Sequence, residues 1–353
     1  MPLFVRFMIR RLFGIPVTFI VVTAVLYAFL MLTPAATRAS LYMPRNVARM
    51  NAQGIRNMVE RIIETHHLND PYPVQYTIWL GSLVRGEMGW SPALNGDVRQ
   101  LLIKRSGITM ELTLYSLLFF IPLGLASGAI AGWRHNRMAD HAFRLSAFIS
   151  TSLPPFILAI FLMAVFYIWL HWFPLGRYSS ATSSILASGQ FNQYTGLVTI
   201  DGLLNNRPDV TLDALWHLVL PVISLSMVHW ATLGRVTRVS IVDERQKEYV
   251  LSGKARGLPA RSLLWKHIFR NIIAPGLTSS ALSAASIFTG VVVIELTFNL
   301  KGISSLIMDI VNTPDTAVTM GFSVYSVVII LLLMLILDVI QAMIDPRVQA
   351  GEI

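Results

Sequence analysis

Six stretches of this sequence, 12–37, 112–133, 145–176, 214–234, 271–294 and 316–337, each run for more than twenty residues without an Asp, Glu, Lys or Arg. A bilayer core about 30 Å thick takes roughly 20 mainly apolar residues to cross as a helix. A charge at the centre of such a helix costs about 2.5 to 3.5 kcal/mol on insertion scales, so uninterrupted runs of this length mark segments that lie in lipid. The Gly, Pro and neutral polar residues inside them are tolerated where membrane helices pack on one another. With 54% hydrophobic and 13% charged residues, the chain is too apolar for an ordinary water-soluble domain. The expectation is an all-α membrane protein with six transmembrane helices.

A net charge of +9 would suit nucleic acid if the basic residues covered a solvated surface with aromatics. Here they come in short blocks between apolar runs, and no nucleic-acid partner is expected. Lys and Arg in short connections are retained on the cytoplasmic side. Arg6, Arg10 and Arg11 precede the first run, Arg134, Arg137 and Arg144 separate the second from the third, nine Lys and Arg lie from 235 to 270, and Arg347 follows the sixth. The alternate connections hold Arg177 and Arg207, or Lys301. This pattern places both termini in the cytoplasm. The N-terminus looks like a secretory signal, but its charge-free run continues to Thr37, so it reads as an uncleaved first helix. The chain has no Cys, which excludes a disulfide, a thiolate metal ligand and a cysteine nucleophile.

Two outward-facing connections are long, 38–105 and 177–213. In the first, Val47, Met50, Ile55, Met58, Ile62 and Ile63 recur at near-helical spacing and predict an amphipathic helix from about Asn46 to Thr65, followed by a break at Pro71 and Pro73. The second, with Ser179, Ser180, Thr182, Ser183, Ser184 and Asn205-Asn206, reads as polar loop. Both are either spacer or a docking surface for a substrate-delivering partner.

The cytoplasmic stretch from Glu248 through Leu258, then His267, Arg270, Asn271 and Pro275, is the most informative in the chain. Helix formers run from about Ile241 to Arg256, Gly257 supplies a position able to take positive φ, and Pro259 opens a second short helix. A helix, turn and helix, continuous with the fourth and fifth runs, is predicted. A basic amphipathic loop beside a membrane is often an anchor to anionic lipid. The alternative is a knob for a protein partner, because Gly253, Ala255 and Gly257 allow close approach.

This stretch resembles the "EAA" loop of binding-protein-dependent ABC importer permeases, in the B-type subunit of the dipeptide and oligopeptide branch. The likeness extends to Arg10-Arg11-Leu12 with Pro16, to Pro73-Val74-Gln75-Tyr76 and Leu83-Val84-Arg85-Gly86-Glu87-Met88-Gly89, and to 109–114. It continues through Ser152-Leu153-Pro154-Pro155-Phe156, Leu220-Pro221 with Arg235 and Arg238, Glu295 with Gly302 and Ile303, and Asp345-Pro346-Arg347. Two departures stand out: Gly253 replaces the usual Ala, and Thr33-Pro34-Ala35-Ala36 lacks the family's Gly and Asp.

The resemblance implies a type I ABC importer permease, N-in and C-in, in a bacterial cytoplasmic membrane. An N-terminal segment with the first helix would cover 1–37, an extracytoplasmic region 38–107, and the permease core 108–348, with an outer loop at 177–213 and a coupling loop at 235–271. Glu248, Tyr249, Ala255, Arg256, Gly257, Leu258 and His267 would couple to an ATPase, and Glu295 would be a candidate contact for substrate or binding protein. Implied partners are a second homologous permease in a heterodimer, two ABC ATPases, an extracytoplasmic substrate-binding protein and membrane lipid. No cofactor would be held by this chain, with ATP and Mg on the ATPases, and the chain would not be an enzyme. Peptides would be the cargo, an oligosaccharide, nickel chelate or other small solute being the alternative.

Other signals point elsewhere weakly. Gly253-Lys254 resembles the end of a phosphate-binding loop, but Glu248 stands where Gly is required and Ala255 where Ser or Thr is. His66-His67, His217 and His229 lack ligand spacing, so no metal site is expected. A stand-alone secondary transporter would show internal repeats and midplane ionisable residues, and an intramembrane enzyme a nucleophile with its base. Glu295 and Asp338 sit at run edges, where helix-terminal contacts account for them.

Overall fold

The computed structural model describes residues 3–344 apart from 46, 48 and 49. Helices dominate: α1 Leu3–Leu30, α2 Ala35–Arg38, α3 Ala52–Thr65, α4 Tyr72–Val84 and α5 Val98–Trp133. Next come α6 Met138–Ser152, α7 Pro155–Leu162 with a π-helical turn Met163–Trp169, α8 Ser180–Ala187, α9 Val198–Leu204 and α10 Pro208–Glu244. The chain continues with α11 Glu248–Ala255, α12 Ala260–Ser262, a second π-helical turn Leu263–Ile268, α13 Phe269–Thr297, α14 Ser304–Asn312 and α15 Thr316–Ile344. The chain is mostly helical, as expected, and its only strands among the described residues are a two-residue antiparallel ladder, β1 Trp90–Ser91 with β2 Gly96–Asp97. Two compact units form, one built chiefly on Met110–Leu300 and the other on Leu12–Thr109 with Lys301–Leu331.

Among the described residues four helices are long and apolar enough to cross a membrane, in α1, α5, α10 and α15, and five if α6 and α7 count as one broken span. The chain is thus a multi-pass membrane protein. The run 271–294 lies inside the 29-residue α13. At 36 and 37 residues, α5 and α10 extend about 54 Å, well beyond a hydrocarbon core.

The third run departs from a simple span. Helix α6 stops at Ser152 and α7 leaves at 102° to it. Pro154 pushes the residue before it out of the helical region, and Leu153 is extended at φ −105°, ψ 127°. Pro155 then starts α7 at a position where no N–H is needed. The first helix also ends early, at Leu30 rather than Thr37. Buried Arg38 donates to the carbonyls of Met31 (3.1 Å) and Thr33 (2.7 Å) just past that end, and to Leu68 O (2.7 Å).

Within the two long connections, Asn51 caps α3 by accepting from Gly54 N at 2.8 Å, so the helix expected from Asn46 begins at Ala52. Residues 46, 48 and 49 of that expectation lie outside those described. Pro71 and Pro73 open α4 rather than merely ending what precedes. The polar loop expected at 177–213 is instead organised around α8 and α9. Asp213 accepts from Ser179 N and Oγ at 2.8 and 2.9 Å, and buried Asp201 accepts from Thr195 N, Thr195 Oγ1 and Gly196 N. The Asp213 carboxylate ties a serine-rich segment to the long α10, a tertiary contact that composition does not reveal.

Candidate functional site

In the cytoplasm-assigned segment α11 ends in a Schellman motif. Gly257 adopts φ +76°, Leu258 N bonds Gly253 O at 3.1 Å, and Gly257 N bonds Lys254 O at 2.9 Å. These are the two reversed bonds that satisfy the last carbonyls of a helix, and they require a left-handed residue after the cap. A Cβ at Gly257 would meet nothing within 4 Å, so the requirement there is conformational and not steric. Gly253 is a different case. Its missing side chain leaves room for Leu263, whose Cδ2 would lie 2.6 Å from a Cβ. The departure from the family's Ala therefore accompanies a buried Leu beneath it.

Val250, Leu264, Ile268 and Ile272 pack with Ile241 and Ala129 into one apolar cluster bordered by Trp133 and Phe269. Burial of each large member contributes about 1.5 to 3 kcal/mol. The elbow is thus built on α5, α10 and α13. The segments beside it differ from the expected continuity with both runs. On the α13 side helix passes through the π-helical turn without interruption, whereas α10 ends at Glu244 and the chain turns through Arg245–Lys247 before α11.

Glu244 explains that turn. Buried at 7% exposure, it accepts from Tyr249 Oη (2.8 Å), Asn271 Nδ2 (3.0 Å) and Lys247 Nζ (2.5 Å), so the chain folds around its carboxylate. Burial and the adjacent Glu244 push the Tyr249 phenol up to about 12, which keeps it a protonated donor through the neutral range. Arg245 and Lys254 both stack against Trp133, at 5.2 and 5.7 Å from a ring centroid, and Arg245 Nη1 donates to Gly132 O at 3.1 Å. Glu244→Leu is expected to remove the acceptor of Tyr249 Oη and leave Asn271 Nδ2 only its 3.2 Å bond to Tyr249 Oη, at about 0.5 to 1.5 kcal/mol per lost bond because both side chains reach solvent. Amide exchange across 245–258 should then rise by an order of magnitude or more, with Glu244→Gln showing the smaller change.

Of the residues singled out from sequence, Glu248, Ala255, Arg256, Gly257, Leu258 and His267 are all exposed, and Tyr249 is half-exposed. They reach the surface of the elbow, while Val250, Gly253, Leu263 and Leu264 are buried within it. Leu251 and Trp265 add apolar area to that surface. Glu295 is elsewhere, fully buried in the last turn of α13. Asp338 pairs with Arg11, while Arg347 and the Asp345-Pro346-Arg347 motif lie outside the described residues. His217 Nδ1 lies 2.7 Å from Asp213 O, and His229 faces the Phe120 ring.

Sequence reasoning missed Glu244, whose neighbours Arg245, Gln246 and Lys247 all favour helix. It also missed the seam that holds α5 to α10. A Cβ at Gly128 would fall 2.4 Å from Gly234 O, and one at Gly132 2.6 Å from Arg238 O. The spacing of Gly124, Gly128 and Gly132, one every fourth residue in an apolar run, carries that signal. Arg238 ties α10 to the start of α6, with Nε and Nη2 on Asp140 at 2.5 and 2.8 Å.

Long apolar helices that carry a folded, solvent-facing elbow between two of them make up a membrane permease. The chain belongs to the family of binding-protein-dependent transport system inner membrane components, whose profile matches residues 121–350. It is 30% identical over 291 residues to the oligopeptide transport system permease protein of Bacillus subtilis, covering 82% of this chain and 84% of that protein. With the dipeptide transport system permease protein of the same organism it shares 28% identity over 98% of each chain. The di/tripeptide transport system permease protein of Pseudomonas aeruginosa is 26% identical over 97% of this chain and 98% of its own length.

Proposed function

We propose that this chain forms half of a translocation pathway for dipeptides or oligopeptides in a bacterial cytoplasmic membrane, driven by ATPase subunits that it does not itself contain. The observation that carries this reading is the elbow: an exposed face of Glu248, Ala255, Arg256, Gly257 and Leu258 on a base fastened to α5, α10 and α13. Such a part receives a push and passes it to membrane helices, and it needs no nucleophile or cofactor. ATP and Mg belong to two partner ATPases, a second homologous permease completes the pathway, and an extracytoplasmic binding protein delivers the cargo. The peptide assignment rests on the named cargo of the relatives. Six spans are proposed, with the bent α6–α7 pair as the third and α13 as the fifth, both termini cytoplasmic. Glu295, buried near the outer end of α13, is proposed to meet the pathway or the binding protein once the outer side opens.

Reconstituted with a second permease, two ATPases and a binding protein, the chain is expected to drive ATP-dependent accumulation of a labelled dipeptide. Accumulation by the chain alone would overturn the reading. An Arg256→Cys variant should react with an impermeant maleimide only from the cytoplasmic side, and reaction from outside would reverse the orientation.

A further inference from the structure

A groove of about 690 Å³ opens between α6 and α10, lined by His141, Arg144, Leu145 and Phe148 from one helix and Arg235, Arg238 and Val239 from the other. On α6 these residues fall at helical spacing i, i+3, i+4, i+7, and on α10 at i, i+3, i+4, so each set is a single stripe. Phe143 sits over Gly234, where a Cβ would lie 2.6 Å from its ring. The next residue of each helix, Arg144 and Arg235, lines the same groove. Each is also the residue at which a charge-free run meets its first charge, since 145–176 begins directly after Arg144 and 214–234 ends directly before Arg235. Arg238 is neutralised by Asp140. Among the described residues neither Arg144 nor Arg235 has an ion-pair partner. Beyond them the α6 surface is apolar and open, with Leu145, Phe148 and Ile149 all more than half exposed.

We infer that this groove binds an anionic phospholipid, its phosphate between Arg144 and Arg235 and an acyl chain along Leu145, Phe148 and Ile149. Two guanidinium groups at the edge of the hydrocarbon need an anion at that depth, and a lipid phosphodiester is there at high concentration. The apolar stripe beside them matches an acyl chain, which a free ion would leave uncovered. Only the choice of leaflet, the cytoplasmic one, rests on the orientation proposed above. Binding in detergent is independent of that orientation, and the Arg256→Cys labelling tests it separately.

The full-length chain in mild detergent, given equal phosphatidylglycerol and phosphatidylcholine of one chain length, is expected to retain the anionic lipid about tenfold more in native mass spectrometry. Arg144→Gln with Arg235→Gln should bring that ratio close to one. An equal ratio in the unaltered chain, or a preference that survives both substitutions, overturns the inference. A Phe148→Cys variant supplies a test that leaves both arginines in place. Phosphatidylglycerol should slow its maleimide labelling several-fold and phosphatidylcholine should not. Protection by inorganic phosphate alone, or by a co-expressed second permease but not by phosphatidylglycerol, would assign the groove to an ion or to a protein helix instead.

Discussion

Replacing Gly257 by Val is expected to abolish ATP-driven uptake, by tenfold or more, while the amount of protein in the membrane stays unchanged. Its φ of +76° costs a residue with a Cβ about 1 to 2 kcal/mol, and a β-branched one more. The Schellman bonds from Leu258 and Gly257 are lost if the chain relaxes to negative φ, and the exposed face is then re-aimed. Since the site around Gly257 is open, size alone is tolerated. Gly257→Asn, which enters the left-handed region readily, should therefore keep most of the transport. ATP hydrolysis in the assembled transporter that continues while uptake stops would mark the defect as one of coupling. Equal loss in the Asn and Val variants would show that the backbone conformation is not what matters.

A second substitution, Gly128→Leu, is expected to act on folding. Even the Cβ would stand 2.4 Å from Gly234 O and 2.9 Å from Thr237 Cβ, and backbone oxygen cannot rotate away. Overpacking of this kind costs about 1 to 3 kcal/mol, which should lower the unfolding temperature by about 1 to 4 °C in a chain of this length and reduce recoverable protein. Gly14→Ala in α1, where a Cβ meets nothing within 4 Å, serves as the uncrowded control and should leave both unchanged or slightly raised. A Gly128→Leu protein as stable as the unaltered chain would mean that α5 and α10 do not approach as described.

What could be read from sequence followed from local rules. Charge-free runs located the long helices, and Gly257 between helix formers and Leu258-Pro259 located the turn that α11 makes. The bend at Leu153-Pro154 was within reach of the same rules, because a residue before proline avoids the helical region, but an unbroken apolar run concealed it. The turn at Arg245–Lys247 was not within reach. It exists because Glu244 is buried against Tyr249 and Asn271, the latter 27 residues away. The folding of 177–213 depends likewise on Asp213 and on Glu111, which accepts from Thr199 N at 2.7 Å and Arg177 Nη2 at 3.2 Å. Contacts of that range leave no periodic trace.

The two attachments of the elbow are unlike, and this gives displacement a direction. From Leu258 toward α13 there is helix with no joint after Pro259, whereas toward α10 the chain crosses three residues of turn pinned at Glu244. A load on the elbow would reach α13 through continuous helix, and α10 through the turn and the hydrogen bonds of Glu244, one of which is made by Asn271 of α13 itself.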